Sequence, residues 1–266
     1  MAGEQLSVRL MIQTELRVLI TGGASGIGWT IAQVLQEQGA RIHLCDASSD
    51  LLAQALRQQP AMSASVADVS NVQQVENLFD ELQRSLGGLD VLVNNVGIAG
   101  PTASVEDIVP EDWARTLAVN ITGHFLCTRL AVPLLKAAGG GCIINMSSAA
   151  GRLGYPLRTP YAASKWAVVG FTESLAMELG PHNIRVNAIL PGLVQGERIT
   201  RVLAARAQAQ GLGYEEMERQ YLDRVSLRRM VSAADVAALV LFLCSPAGRN
   251  ISGQSLGVCG NMEVLR

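Results

Sequence analysis

Lysine is nearly missing from this sequence. Only Lys136 and Lys165 are lysine among its 21 basic residues; the rest are arginine. The three histidines lie far apart and show no metal-ligand spacing, so no metal site is expected. The five cysteines (Cys45, Cys127, Cys142, Cys244 and Cys259) include no C-x-x-C pair and are odd in number. That usage reads as reduced, buried thiols in a cytoplasmic protein, not a disulfide framework. No apolar run nears the ~20 residues of a membrane span; the longest, Val236 to Cys244, has nine. Residues 1–14 carry both charge signs and no apolar signal core, and read as an extension before the domain. A net charge of −2 and a pI of about 6.0 make no case for a nucleic-acid or membrane-surface partner. The 266 residues, 49% hydrophobic, suit one α/β domain over 15–266 with a substantial core.

Against that scarcity, Lys165 stands four residues after Tyr161, in Tyr161-Ala162-Ala163-Ser164-Lys165. On a helix this step stacks both side chains on one face. A free tyrosine ionises near pH ~10, and making it a base near neutrality takes a shift of two to three units, roughly 3–4 kcal/mol. A unit charge ~5 Å away at an effective dielectric of ~20 supplies roughly 3 kcal/mol. In an arginine-rich chain, lysine here offers a compact point charge that the planar guanidinium does not. The pair builds a tyrosine able to exchange protons with an alcohol or a carbonyl.

The rest of the chain supplies a frame for such a group. Arg17 to Ile20 is a buried-strand run, followed by Thr21-Gly22-Gly23-Ala24-Ser25-Gly26-Ile27-Gly28 and a helical pattern to Gly39. Strand, glycine-rich turn and helix is the context of a dinucleotide site, where the pyrophosphate meets a helix N-terminus. The next strand, Arg41 to Cys45, ends in Asp46, an acid placed to accept hydrogen bonds from the adenosine ribose. A helix over Leu51–Gln58, a strand over Met62–Ala67, a helical stretch from Val72 and a strand over Leu89–Val93 continue the alternation. Pro110 to Ala138 reads as one long helix with Asn120, a poor helix-interior residue, in its middle. Strands over Cys142–Met146 and Asn183–Leu190, the helix from Tyr161 to Leu179, a helix over Ala234–Cys244 and a strand over Gln254–Val258 complete it. This rhythm predicts a Rossmann-type, doubly wound parallel sheet of about seven strands with helices on both faces. Residues 193–229 break the rhythm with two short helical stretches, and are expected to form a lid over a substrate. Arg198 and Arg201 sit there at three-residue spacing, placed to clamp an anionic group if both face the pocket.

Together these pieces resemble the short-chain dehydrogenase/reductase superfamily over roughly Arg17 to Gly260. Asn94-Asn95-Val96-Gly97 is similar to its Asn-Asn-Ala-Gly motif, and Pro191-Gly192 to its motif after the sixth strand. Asn120, Ser148, Tyr161 and Lys165 fall where its catalytic tetrad is expected, with Ser148 a better fit than Ser147. The resemblance implies NAD as cofactor, held by Gly22, Ser25, Gly26, Ile27, Gly28, Asp46, Asp68, Val69, Asn95, Val96, Gly97, Tyr161, Lys165, Pro191, Gly192 and Val194. It implies reversible hydride transfer between a small secondary alcohol (a sugar, polyol, hydroxy acid or cyclic alcohol) and its ketone. On the same resemblance Tyr161 is expected to be the acid–base group, Lys165 to bond the nicotinamide ribose, Ser148 to hold the substrate oxygen, and Asn120 to hold a water that links Lys165 to solvent. Asp68 and Val69 are expected at the adenine. A homotetramer built through helices 110–138 and 161–179 and the last strand is also implied. Two positions depart from the family pattern: Val96 replaces an alanine, and Gly196 stands where a threonine often bonds the nicotinamide carboxamide. The alternative, an NADPH-dependent 3-oxoacyl-thioester ketoreductase, wants a basic residue beside the adenosine 2′-phosphate, and the chain has Asp46 there.

Overall fold

A computed structural model describes Ile12 and residues 15–262. The extension expected over 1–14 otherwise lies outside the described residues; Ile12 is buried in the first core. In chain order the elements are β1 (Arg17–Thr21), α1 (Gly26–Glu37), β2 (Arg41–Asp46), α2 (Ser49–Gln58), β3 (Ser63–Val66), α3 (Val72–Leu86) and β4 (Val91–Asn94). Then come α4 (Pro110–Leu117), a π turn (Ala118–Thr122), α5 (Gly123–Ala137), β5 (Gly141–Met146), α6 (Thr159–Leu179) and β6 (Ile184–Pro191). The chain ends with α7 (Glu197–Gln210), α8 (Tyr214–Leu222), α9 (Ala233–Cys244) and β7 (Ser255–Val258).

All seven strands are parallel, in the order β3-β2-β1-β4-β5-β6-β7. Successive strand residues face opposite sides. Val18 and Ile20 therefore join Ile31, Leu35, Val236 and Val240 in one core, while Leu19 joins Leu78, Leu82, Leu126 and Leu135 in the other. The order reverses between β1 and β4, which opens a crevice beyond their carboxyl ends where ligands of such sheets bind.

Element bounds differ from the sequence reading by a few residues, for local reasons. The helix read from Leu51 begins at Ser49, since the Ser48 hydroxyl accepts from the Leu51 N–H at 3.3 Å. The strand read from Leu89 begins at Val91, because Asp90 turns its carboxylate onto the Arg17 backbone and guanidinium at 2.7–2.8 Å. The helix read as continuous over 110–138 is interrupted, with the Gly123 N–H reaching back to the Ala118 carbonyl. Its Pro110–Ala137 span is long and apolar enough, by length and composition alone, to cross a membrane. In the fold one face of it carries Leu126, Cys127, Ala131 and Leu135 into the second core. All five cysteines are free thiols, four buried and Cys244 half-buried.

Residues 193–229 build a third, smaller core. Leu193, Leu203, Ala207, Met217, Tyr221 and Val225 pack with Tyr155, and the catalytic candidate Tyr161 borders it.

Candidate active site at the switch of strand order

The β1–α1 loop is shaped for close approach. Gly22 and Gly26 take left-handed φ values of 61° and 53°, which glycine adopts without strain. A Cβ on Gly28 would lie 2.1 Å from the Gly22 carbonyl oxygen, so the helix can start this near the strand only with glycine there. Ser25 precedes α1, and its side chain caps none of the first N–H groups, from Gly26 through Gly28. Asn95 ties this loop to the end of β4. Its amide donates to the Thr21 and Gly22 carbonyls at 3.0 Å, while the Thr21 hydroxyl receives the Asn95 and Val96 N–H groups.

Asp46 sits at the carboxyl end of β2, where its carboxylate accepts from the Ser48 N–H at 3.1 Å and the Ala24 N–H of the glycine loop at 3.4 Å. Asp68 lies one strand further out, next to Val69. Its carboxylate binds Arg115 at 2.9 Å and Ser70 through both backbone and hydroxyl. Burial would raise the Asp68 pKa, but those bonds and the Arg115 charge lower it. On the other side of the crevice, Gly192 donates to the Val258 carbonyl at 2.9 Å, and Val194 bridges to Val231 where the chain leaves Pro191. The pattern fits a dinucleotide: an uncapped helix N-terminus for the pyrophosphate, an acid for the ribose, and glycines where side chains would block. Gly97 fits as well, since a Cβ there would come within 3.2 Å of Lys165 Nζ and 3.3 Å of Asn120 Oδ1.

Tyr161 and Lys165 stand one turn apart on α6, with Lys165 Nζ 5.8 Å from the phenol ring centroid. Lys165 is 2% exposed and donates to the Met146 carbonyl at the end of β5, 2.8 Å away. Burial foremost, and the Arg198 charge, lower its pKa to about 8 against the opposing pull of Tyr161. The structure also separates the two serines. Ser147 donates to the Lys165 backbone carbonyl at 2.8 Å, whereas the Ser148 hydroxyl accepts from the Ala150 N–H at 3.2 Å and acts on the Tyr161 phenol, lowering its pKa.

For Tyr161 burial acts upward and is the largest single influence. The charges of Arg198 and Lys165, the Ser148 hydrogen bond and the charge of Arg158 together outweigh it, so the phenol ionises below its usual value. One lysine was expected to be about enough; three cations share the task, and Arg198 contributes more than Lys165. Arg198 reaches across from α7, donates to the Gly97 carbonyl at 2.9 Å and holds its guanidinium carbon 5.9 Å from the phenol centroid. Arg201 lies exposed on the same helix with no partner among the described residues, so the expectation that both arginines face the pocket holds for Arg198 alone.

Asn120 occupies the π turn. Its Oδ1 accepts from the Ile98 N–H at 2.7 Å, and its amide donates to the Ile98 carbonyl and Ser164 Oγ, both at 3.0 Å. Both amide hydrogens are thus occupied, so the side chain has none left to donate to a water. The widened turn belongs to this arrangement, as π segments often do at functional sites. Arg158, Arg206 and His124 escaped the sequence reading. None lies in a motif, and an arginine in an arginine-rich chain gives no local sign of burial. Among the described residues no group of three or more His, Cys, Asp or Glu could hold a metal ion.

Comparison with known proteins agrees with this geometry. A family model described as enoyl-(acyl carrier protein) reductase matches residues 22–262. A D-beta-hydroxybutyrate dehydrogenase of Cupriavidus necator is 36% identical over 241 residues, covering 88% of this chain and 93% of that protein. The structure of NAD+-bound xylitol dehydrogenase superposes with a TM-score of 0.89 at 30% identity, over 93% of this chain and 98% of that one. An actinorhodin polyketide ketoreductase with NADPH gives 0.89 at 32% identity, over 94% and 97%.

His124 lies fully buried beneath Val96, to whose carbonyl its Nε2 donates at 3.3 Å. Burial and the Lys165 charge lower its pKa to about 3 against that hydrogen bond. His43, bonded to Ser63 and Ser65, is lowered to about 4 by burial against the pull of Glu81. The unfolded chain therefore takes up these protons first as pH falls from 6.5. The stability tied to the neutral rings is complete above that value and is lost toward pH 4 and 3, at roughly 1.4 kcal/mol per pH unit for each ring. Urea midpoints should drop steeply between pH 6.5 and 4.5, and His124→Gln should flatten the slope by nearly one proton. An unchanged slope would mean that His124 is protonated within the fold.

Proposed function

This chain belongs to the short-chain dehydrogenase/reductase superfamily, and on that premise we propose that it is an NAD(H)-dependent oxidoreductase interconverting a secondary alcohol and its ketone. The observation that carries this is Tyr161: a phenol whose pKa Arg198, Lys165, Ser148 and Arg158 lower, beside a crevice shaped for a dinucleotide. Relatives named as dehydrogenases and a ketoreductase support the reaction type.

In the oxidative direction the Tyr161 oxygen takes the hydroxyl proton of the alcohol; in reduction it returns a proton to the carbonyl oxygen. A bound nicotinamide accepts or supplies the hydride. Ser148 donates to the substrate oxygen, fixing its place and stabilising charge that develops there. Lys165 keeps the phenolate accessible, and its remaining N–H bonds are available to a ribose hydroxyl. Asn120 is a positioning residue that holds the Ile98 backbone and the π turn. A relay water between Lys165 and solvent would rest on the remaining Oδ1 lone pair or on carbonyls of that turn. Residues 193–229 act as the lid. Large apolar side chains left exposed on α4, α5 and α6, Trp113, Phe125, Trp166 and Met177, support assembly as a homotetramer through those helices. We place the enzyme in the cytoplasm, acting on a small molecule with neither nucleic acid nor membrane as partner.

Asp46 is the reason for naming NAD. Its carboxylate accepts hydrogen bonds from a ribose and repels a 2′-phosphate. Arg41, the basic residue nearest along β2, points to the far end of the sheet and binds the Ser85 and Leu86 carbonyls. Arg115 is paired with Asp68. The preference for NAD over NADP in kcat/KM should be at least ~100-fold, about 2.7 kcal/mol, and Asp46→Ala with Ala47→Arg should shrink or invert it. Equal use of both by the unmodified enzyme would return the thioester ketoreductase reading. Tyr161→Phe should retain NAD binding and lose at least ~100-fold in kcat; a variant keeping more than a tenth of kcat would remove Tyr161 from the acid–base role.

A further inference from the structure

A ladder of alternating arginine and tyrosine runs inward from the reacting centre. The Arg198 and Arg158 guanidinium carbons lie 5.9 and 5.3 Å from the Tyr161 ring centroid. Arg158 also lies 5.4 Å from the Tyr155 ring, and Arg206 5.2 Å from Tyr155 and 5.6 Å from Tyr221. Arg158 is 2% exposed and Arg206 1%. Arg158 donates to the Ala99 carbonyl at 2.6 Å and Arg206 to the Pro156 carbonyl at 2.8 Å, yet the buried Nε of each has no partner.

Among the described residues, no carboxylate within 4.0 Å pairs with Arg158, Arg198 or Arg206; the ion pairs found engage Arg17, Arg115, Arg129, Arg219 and Arg228. Acids do occur on the lid, but Glu216 and Asp223 pair with Arg219 and Arg228 on its outer surface. Cation–π contact with tyrosines offsets part of the desolvation of a guanidinium, and a counter-charge offsets much more. The buried Arg158 and the exposed Arg198 flank the acid–base group, and no protein carboxylate among the described residues pairs with either.

We propose that Arg198 and Arg158 form a carboxylate subsite beside Tyr161, so that the enzyme's substrate is a short 2- or 3-hydroxy acid and the corresponding oxo acid. A carboxylate paired to a guanidinium has N···O contacts of about 2.8 Å, and the reacting oxygen lies about 2.7 Å from the phenol oxygen. Both guanidinium carbons lie within 6 Å of the ring centroid, so a carboxylate they hold stays close to the phenol, which favours a short hydroxy acid over a long one. The exposed Arg198 can swing from the Gly97 carbonyl to the ligand, while Arg158 is fixed by Ala99. This deepens the dehydrogenase reading and rests on it for the reaction, though not for binding.

The test uses the full chain in two ways. Turnover with NAD is compared for 2-hydroxybutyrate, 3-hydroxybutyrate and their methyl esters, and malonate binding to the enzyme–NAD complex is followed by calorimetry. One acid should exceed its ester at least 100-fold in kcat/KM. Malonate affinity should fall at least tenfold in Arg198→Ala, recover in part in Arg198→Lys and stay unchanged in Arg201→Ala. Esters oxidised as well as acids would overturn the subsite and leave the dehydrogenase reading standing, as would malonate binding indifferent to Arg198. Malonate held through Arg198 with no alcohol oxidised would keep the subsite and remove the dehydrogenase reading.

Discussion

The site depends on one electrostatic contest. Enclosing the Tyr161 phenol disfavours its anion, and that influence is the largest single one on it. The same enclosure strengthens every charge nearby, because interaction energy scales inversely with the local dielectric. Lys165 at 5.8 Å from the ring, Arg158 at 5.3 Å and Arg198 at 5.9 Å come from α6, the turn before it and the lid. The outcome is a phenol whose proton is easier to remove than in water. The cations bear a cost too: burial lowers the pKa of both Lys165 and Arg158, and Arg198 lowers each further.

That arrangement needs a rigid floor. Buried side-chain amides run across it, with Asn94 donating to Asn145 at 2.9 Å and to Thr128 at 3.1 Å, and Asn145 donating to Thr172 at 3.0 Å. The chain of bonds joins β4, β5, α5 and α6 below the reacting groups. Buried donors paired in this way hold a single geometry, since breaking one bond strands its partner, although the Asn94 Oδ1 itself has no partner. Asn120 and Ser147 do the same a layer higher, the first anchoring the Ile98 backbone and the second the Lys165 carbonyl. Of the four tetrad candidates, Asn120 is thus the one whose amide hydrogens are both taken by protein neighbours.

Much of this was legible in the residues themselves. The seven-strand parallel sheet follows from the alternation of apolar runs, and the crevice from Thr21–Gly28 and Asp46. The Tyr161–Lys165 step is a short-range relation, which periodicity captures well. Ser148 was separable from Ser147 by position; in the fold Ser147 is spent on the Lys165 carbonyl, while Ser148 acts on the Tyr161 phenol. What escaped was long-range. Arg158 and Arg206 are buried by contacts with residues distant in the chain, and nothing adjacent to them differs from a solvated arginine. Arg198 and Arg201 looked equivalent by spacing, yet α7 directs one to Gly97 and leaves the other in water. The π turn at Asn120 is set by the Ile98 backbone it bonds, which a helical pattern over 110–138 does not contain.

Direct titration of Tyr161 tests the account at its centre. With tyrosine labelled at the ring carbon bearing oxygen, four resonances are expected, and Tyr161→Phe identifies one of them. That signal should titrate below the usual tyrosine value of ~10, whereas Tyr221, whose pKa burial and Tyr155 raise, should stay protonated to the alkaline limit of the fold. Removing the Arg198 charge should move the Tyr161 signal upward by at least as much as removing that of Lys165. A Tyr161 value at or above ~10 in the wild-type chain would contradict the account, because burial would then have prevailed over the three cations.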